Sequence, residues 1–199
     1  MIEDMEYVEG ETPLDPDEMD GLRFSHITTR GQLNELEQAN IDDGELWLKR
    51  QKNLDLLTDQ FVRTLHKKLF GKVWSWAGTY RRTEKNVGVD PVQISVSLRH
   101  LLDDTQYWVE NEVYSPIEAA ARFHHRLVQI HPFANGNGRH ARIMADLLLE
   151  RLYRVEPINW TDGKNLQKDN DRRDDYIKAL RAADGGNYSL LFDFVGYEG

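Results

Sequence analysis

HPFANGNGRHAR, residues 131–142, joins two stretches in which apolar side chains recur at helical spacing. The stretch before it opens with Ser115 and Pro116, a polar cap followed by proline at the first helical position, and should run to residue 130. The stretch after it, residues 138–153, is apolar almost all round, which is typical of a helix in the middle of a domain. The pattern therefore predicts two buried helices joined by a polar loop.

Helical periodicity continues on both sides of this pair. Residues 78–93 interrupt it with two glycines and a proline around the basic cluster Arg81, Arg82 and Lys85, and this texture predicts short strands or a hairpin. We therefore expect an all-α fold with a short β-hairpin. The further predicted helices cover about residues 30–49, 58–76, 94–109, 171–183 and 188–195.

The net charge of -9 is concentrated at the N-terminus. Of the 34 acidic residues, nine lie in residues 1–22, which hold no lysine or arginine, so the remainder of the 199-residue chain is formally neutral. We interpret residues 1–22 as an acidic extended arm, which we expect to lie against Arg81, Arg82 and Lys85. A neutral domain of this length argues against direct binding to nucleic acid.

Cysteine usage and hydropathy exclude further classes of protein. The chain has no cysteine, hence no disulfide framework and no thiolate nucleophile. Its first residues are acidic where a secretory signal is basic, and no apolar run is long enough to span a membrane. We expect a soluble cytoplasmic protein.

The loop at residues 131–142 concentrates the groups needed for phosphate chemistry. Its glycines and asparagines tolerate unusual backbone angles, and it leads into a helix N-terminus, which favours anions. Arg139 and Arg142 lie three residues apart, hence on one helical face, and His131 can accept a proton near neutral pH. Together these features suggest attack by a hydroxyl on a phosphate group.

Each of these features also has a simpler explanation. An Asn-Gly repeat alone more often marks a tight turn, and arginines in a first helical turn are often merely solvated. His124 falls on an apolar stripe and is best interpreted as a hydrogen-bonded core residue. A metal-dependent hydrolase built on His124, His125 and His131 is a weaker alternative, because adjacent histidines on a helix point to different faces.

Residues 131–142 resemble the signature of the Fic (filamentation induced by cAMP) family, which reads His-Pro-Phe, any residue, an acid, Gly-Asn-Gly-Arg and a second arginine three positions later. Residues 74–81 resemble the tryptophan-alanine-glycine segment that precedes the flap of that family. The branch resembled is the one called mobile mystery protein B. The resemblance implies a Fic domain over residues 23–199, with its flap at about 78–93 and its signature loop at 131–142.

The family resemblance also implies a reaction, the transfer of AMP from ATP to a Ser, Thr or Tyr hydroxyl of a target protein with Mg²⁺ or Mn²⁺. His131 would be the general base, Asn137 and Arg139 would complete the catalytic set, and Phe133 would anchor the loop in the core. Gly138 favours AMP transfer, since the phosphorylating Doc branch has lysine at this position. The nucleotide-binding residues would be Gly136, Asn137, Gly138, Arg139 and Arg142.

Asn135 departs from the family pattern, which has a metal-binding Asp or Glu there. An amide oxygen can ligate Mg²⁺ but brings no negative charge. Three alternatives follow: an enzyme with weaker metal affinity, an enzyme using another phosphate-containing donor, or a nucleotide- or partner-binding module without turnover. We favour the first, because His131, Asn137, Arg139 and Arg142 are all present.

Regulation and partners are expected by resemblance only. Residues 33–38 partly match the inhibitory helix of Fic proteins, so Glu37 is expected either to restrain Arg142 or to be a solvated helix charge. A target protein would dock on the flap by strand addition, and a small helix-turn-helix, antitoxin-like protein is a candidate partner. Arg172, Arg173 and Tyr176 are interpreted as packing and surface residues of their helix.

Overall fold

Helices form the regular structure of the domain. The computed structural model describes residues 12–163, 165–168 and 170–197. Within these ranges, no helix combines the length and apolar composition that a membrane span requires. The helices are α1 (Pro16–Met19), α2 (Arg30–Lys49), α3 (Asp59–Phe70), a 3₁₀ turn (Pro91–Gln93) leading into α4 (Ile94–Glu110), α5 (Pro116–Ile130), α6 (Asn137–Leu147) continued by a π-helical turn (Leu148–Tyr153), α7 (Asp171–Asp184) and α8 (Ser189–Val195).

The mostly helical fold predicted from the sequence is confirmed, with one clear difference in length. Helix α3 begins as expected, after the Thr58 hydroxyl accepts a hydrogen bond from the Phe61 amide. It ends at Phe70 rather than near residue 76: Gly71 is its C-cap, and a turn at residues 71–73 follows. Trp74 is then free to form an antiparallel bridge with Leu22.

Helices α5 and α6 form the centre of the domain, as their apolar character predicted. Helix α5 packs against α4, α6, α7 and α8, while α3 connects α6 to α2. Phe123 of α5 and Ala141 and Ala145 of α6 are fully buried. The loop joining α5 to α6 is therefore anchored at both ends in the most tightly packed part of the molecule.

The predicted β-hairpin of the flap is not formed: residues 78–93 contain no strand and run as an irregular loop before the 3₁₀ turn. The reason is Arg81, which is only 4% exposed. Its guanidinium donates to backbone carbonyls of Thr83, Val89 and His131. The amides of Arg81 and Val89 bond to residues 132 and 130 rather than to each other's strand, so no ladder forms within the flap.

The described part of the acidic arm, residues 12–22, packs on the domain. It contains the helical turn α1, so the prediction of an extended arm is wrong over Pro16–Met19, while residues 1–11 lie outside the described residues. The expected contact with the basic cluster is confirmed for Lys85, whose ammonium pairs with Asp15 at 2.9 Å and with Glu18. Arg81 is instead buried within the flap, and Arg82 is exposed.

Candidate active site

The loop between α5 and α6 has two residues in the left-handed region of backbone space. His131 ends α5 with φ 52° and ψ 61°, and Gly136 precedes α6 with φ 78° and ψ 3°. A Cβ on Gly136 would lie 2.6 Å from the ring of Phe70, so glycine is required there by both conformation and space. The two bends turn the loop back on itself and direct the N-terminus of α6 toward an open cleft.

Asn137 holds this loop in shape. Its side-chain oxygen accepts from the Phe133 amide at 2.9 Å, and its side-chain nitrogen donates to the Phe133 carbonyl at 2.8 Å. Asn137 is 3% exposed, and both the oxygen and the nitrogen of its side chain are bonded to the backbone of Phe133. The structure thus places Asn137, predicted as a catalytic and nucleotide-binding residue, in a positioning role; its backbone lies in the lining of the cleft.

Phe133 lies where the family resemblance predicted, in the core. Its ring is fully buried and stacks on His66 with centroids 3.7 Å apart, while His140 meets it edge-on at 5.3 Å. His66 in turn bonds through Nε2 to the Asn135 carbonyl at 3.0 Å. Aromatic packing therefore fixes the loop from below.

His131 lies at the mouth of this loop and is 6% exposed. Burial, together with the nearby positive charge of Arg81, lowers the pKa of His131 to about 4. The imidazole is consequently uncharged at neutral pH and keeps a lone pair for accepting a proton. Its Nε2 lies 3.1 Å from the hydroxyl of Thr12, and Arg81 holds its backbone carbonyl at 2.7 Å.

Glu37 contacts Arg139, not Arg142 as predicted. Its carboxylate pairs with Arg139 at 2.7 Å and accepts from the indole nitrogen of Trp74 at 2.6 Å. Glu37 is 2% exposed, so the alternative of a solvated helix charge is also wrong. Arg139 is therefore engaged by an acidic side chain from α2 at the point where a phosphate oxygen would bind.

Arg142, Tyr176 and Gly138 surround the open side of the α6 N-terminus. The guanidinium of Arg142 lies over the Tyr176 ring, 5.5 Å from its centroid. A Cβ on Gly138 would lie 3.6 Å from both the Arg142 guanidinium and the Tyr176 hydroxyl. Because glycine stands there, this space is open to the cleft, and a longer side chain such as lysine would occupy it.

The cleft has a volume of about 760 Å³, within the range usual for small-molecule sites. The flap, the signature loop and α7 form its walls. Arginine side chains of α6 and α7 give it positive charge, which suits a phosphate-bearing ligand. The loop and helix residues lining it include Gly136, Asn137, Gly138, Arg139 and Arg142, which are the five predicted nucleotide-binding residues.

Asn135 does not by itself form a site for Mg²⁺ or Mn²⁺. Its side-chain oxygen accepts from the Gly136 amide at 2.6 Å and from Arg139 at 3.4 Å. In the part of the chain that the structure describes, no cluster of His, Asp or Glu residues is arranged to hold a metal ion. An amide oxygen already bonded twice and next to a guanidinium does not fit the oxygen-rich set that Mg²⁺ prefers.

The three histidines of the hydrolase alternative are not brought together. His124 is a core residue, as predicted, and bonds to the Tyr176 hydroxyl at 3.0 Å. His125 lines the cleft, but its ring nitrogens bond to Tyr188 and Asp184. With His131 facing Thr12, each ring has a different set of partners.

The structural interpretation is confirmed for Arg172, whereas Arg173 is buried and also lines the cleft. Arg172 stacks on the Phe194 ring at 3.6 Å and donates to nearby carbonyls, and Arg173 donates to the Leu166 carbonyl. Tyr176 differs from that expectation because it lines the cleft beside Arg142. Its position on α7 relative to α6 depends on helix packing, which the sequence of α7 alone does not reveal.

Thr12 is the site residue that sequence reasoning missed. It is 7% exposed and lines the cleft directly at His131. A single threonine in an acidic, proline-containing arm has no periodicity that would mark it, and it lies 119 positions from the histidine it contacts.

The local geometry thus combines an uncharged histidine, a helix N-terminus and two arginines around one cleft. Residues 56–149 match the Fic/DOC family. The chain contains a Fic/DOC domain. The signature loop and helices α3 to α6 of this Fic domain lie within the matched segment.

Curated relatives of this Fic domain are named protein adenylyltransferases. The Fic protein of Nematostella vectensis is 29% identical over 150 residues, which are 73% of this chain and 33% of that relative. The fic-1 protein of Caenorhabditis elegans is 32% identical over 108 residues, which are 50% of this chain and 20% of that relative. The chain thus spans a third or less of these relatives.

Solved Fic structures share the helical fold. The Bartonella tribocorum BepC protein, solved with bound AMPPNP, superposes with a TM-score of 0.70 at 18% identity and covers 95% of this chain and 93% of its own. A C. elegans Fic-1 fragment gives a TM-score of 0.67 at 23% identity, covering 88% of this chain and 51% of its own. At these identities the likeness shows the fold.

Proposed function

We propose that this protein is a protein adenylyltransferase, which transfers AMP from ATP to a Ser, Thr or Tyr hydroxyl of a protein with His131 as general base. The observation that carries the proposal is the uncharged His131 ring facing a hydroxyl group at the mouth of an arginine-lined cleft. The names of its relatives and the AMPPNP bound to a protein of the same fold support the choice of nucleotide.

In the proposed reaction the acceptor hydroxyl oxygen attacks the α-phosphorus of ATP. His131 takes the hydroxyl proton, the bond from the α-phosphorus to the bridging oxygen breaks, and pyrophosphate leaves. Arg139 and Arg142 bind phosphate oxygens, and the N-terminus of α6 stabilises negative charge. Because Asn135 does not fit a metal site on its own, we assign no step to a metal ion.

The proposal is tested by the position of the transferred label. Protein incubated with ATP labelled at the α-phosphate should give labelled protein, whereas ATP labelled at the γ-phosphate should not. Label from the γ-phosphate alone would instead show phosphorylation. If neither form of labelled ATP labels any protein, with the wild type or with Glu37→Gly, the transfer of AMP is rejected.

A second candidate is a nucleotide-binding module without turnover. The observation that favours it is the 2.7 Å ion pair between Glu37 and Arg139, which occupies one of the two motif arginines. Calorimetric binding of ATP without release of pyrophosphate would support this candidate over the enzyme.

Replacing Asn135 by aspartate is expected to lower the Mg²⁺ concentration for half-maximal transfer about tenfold, because a carboxylate adds the charge that the amide lacks. The measurement is a Mg²⁺ titration of label transfer. Asn53→Asp, an exposed change of the same charge in the loop after α2, is the matched control and should leave the titration unchanged. An unchanged titration for Asn135→Asp would contradict a role of this position in metal binding.

Replacing Glu37 by glycine is expected to raise label transfer at least about tenfold, since a gain of about 1.4 kcal/mol in phosphate binding or orientation suffices. The change frees Arg139 from its carboxylate partner. Glu35→Gly, at an exposed position of the same helix, carries the same glycine penalty of about 1 kcal/mol and is the matched control. Equal transfer rates and ATP affinities in both variants would remove Glu37 as a regulator.

We place the target protein on the flap, residues 78–93, beside His131. The flap offers irregular backbone rather than a ready strand edge, so we expect side-chain contacts, of the kind that the arm makes with Lys85, to have a larger part than strand addition. A small helix-turn-helix partner remains a prediction from the resemblance.

A further inference from the structure

We propose that Thr12 of this chain is itself an acceptor, so that the protein attaches AMP to its own N-terminal arm in an intramolecular reaction. The inference rests on the proposed function, because it needs AMP transfer from ATP. It names a residue that would be modified, and it follows from the position of the Thr12 hydroxyl relative to His131.

The Thr12 hydroxyl occupies the position that an acceptor must take. Its Oγ1 lies 3.1 Å from His131 Nε2, within the range for a proton donor and the base that removes the proton. The uncharged ring can accept this hydrogen bond. Both residues line the same cleft as the glycines and arginines of the α6 N-terminus. Thr12 therefore lies beside the base, in the lining of the cleft in which the nucleotide would bind.

The arm is held on the flap by several independent contacts. Lys85 donates to the Pro13 carbonyl at 3.1 Å and pairs with Asp15 at 2.9 Å, and its own side chain is only 3% exposed. The Thr83 hydroxyl donates to the same Asp15 carboxylate at 2.7 Å. Leu14, 9% exposed, joins the hydrophobic core. The residues immediately after Thr12 are thus fixed in direction.

Contacts on the other side of Thr12 reach the signature loop. The Asn135 side chain donates to the Thr12 carbonyl at 3.5 Å, so the backbone as well as the hydroxyl of Thr12 faces the reactive loop. The flap thus holds the arm so that Thr12 faces His131, as a segment of a target protein must. Because the base and the acceptor belong to one chain, the reaction needs ATP to bind but no association with a second protein.

The proposed step is balanced in atoms and charge. An O–P bond forms between Thr12 Oγ1 and the α-phosphorus of ATP, and the bond from that phosphorus to the bridging oxygen breaks. Pyrophosphate leaves with its electron pair, and the Thr12 proton passes to His131 Nε2 and then to water. The product is a phosphodiester that joins Thr12 to AMP.

The test uses the full chain, incubated with ATP labelled at the α-phosphate and Mg²⁺, in the wild type and in Glu37→Gly. Peptide mapping should find AMP on the peptide that contains Thr12. Thr12→Ala should lower self-labelling at least about tenfold, and Thr12→Ser, which keeps a hydroxyl, should retain it. Thr161→Ala, an exposed threonine outside the cleft lining, is the matched control and should label as the wild type does. The labelled fraction at a fixed time should not change on tenfold dilution, since the reaction is intramolecular.

Three outcomes would overturn the inference. His131-dependent label on lysate proteins, with none on Thr12, would reject Thr12 as acceptor and leave the proposed function standing. Faster labelling of lysate proteins by Thr12→Ala, again without AMP on Thr12 in the wild type, would show that the arm is a cover over the base. No label on any protein, in the wild type or in Glu37→Gly, would reject both the inference and the proposed function.

Discussion

Replacing His131 by alanine is expected to lower label transfer from ATP by about 10²- to 10⁴-fold, the contribution typical of a general base. The base removes the proton while the oxygen–phosphorus bond forms, and the two histidines nearest to it in sequence are engaged with other partners. His124 and His125 bond to α7 residues and to Tyr188. The measurement is initial-rate transfer from α-labelled ATP at saturating nucleotide.

Two further variants separate chemistry from folding. His131→Asn keeps a polar side chain that tolerates the left-handed backbone at this position, and it should lose as much activity as His131→Ala. His100→Ala changes an exposed histidine of α4 and should transfer at the wild-type rate. Activity in His131→Asn near that of the wild type would contradict the role of His131 as base.

Acid is expected to unfold the protein between about pH 5 and pH 3, because several buried histidines resist protonation in the fold. The pKa of His124 is lowered to about 3, and those of His131 and His140 to about 4, in each case chiefly by burial. The unfolded chain binds these protons below its ordinary pKa near 6.5, whereas the folded chain does not. Stability is therefore complete above pH 6.5 and is lost as the pH falls.

The groups around these rings determine the size of the acid effect. His124 faces Tyr176 and the positive charge of Arg142, and His140 faces the Val62 carbonyl. Asp146 acts in the opposite sense, because burial raises its pKa to about 6 and the folded state binds its proton first.

Among the groups named so far, three histidines opposed by one carboxyl give a net difference of roughly two protons, or about 3 kcal/mol per pH unit between pH 6 and pH 4. The buried His66, whose pKa is also lowered by burial, adds to this slope. This is a large fraction of the roughly 5–15 kcal/mol that stabilises a domain. Urea unfolding followed by tryptophan fluorescence at several pH values measures the slope.

A matched pair of variants tests the assignment to buried histidines. His140→Gln keeps a donor for the Val62 carbonyl but does not titrate, and it should reduce the slope by about 1.4 kcal/mol per pH unit. His100→Gln, on the surface, should leave the slope unchanged. Equal slopes in all three proteins would show that other groups control acid unfolding.

The signature loop and the helices were predictable from sequence because their signals are local. Apolar periodicity located α5 and α6, and the glycines and asparagines of the loop sufficed to predict a turn that leads into a helix N-terminus. The same residues did not reveal that the Asn137 side chain forms two hydrogen bonds with the Phe133 backbone. A hydrogen bond of that kind depends on how the loop closes, which follows from the two left-handed bends.

The partner of Glu37 was not predictable for a related reason. Helical spacing indicates which face of α2 carries Glu37, but the choice between Arg139 and Arg142 depends on how α2 sits on α3. That fit is set by Asn40, which bonds to the Lys68 carbonyl and the Lys72 amide, and by Gly44, where a Cβ would lie 2.8 Å from Leu69. Neither contact leaves a periodic trace in the sequence.

The missing hairpin illustrates the limit of turn signals. Glycine and proline in residues 78–93 correctly predicted an interruption of the helices, but they indicate bends and not the pairing of strands. The decisive interaction is the burial of Arg81, whose charge would ordinarily be assigned to the surface.

Arg81 also connects the flap, on which we place the target, to His131, the proposed base. One guanidinium donates to carbonyls of the flap and to the carbonyl of His131. A segment that docks on the flap would therefore be held at a fixed distance from the base. Under the proposed function, this connection would select an acceptor by the number of residues between its hydroxyl and the docked contact. In the arm, Thr12 contacts the base and Asp15, three positions later, contacts Lys85 of the flap.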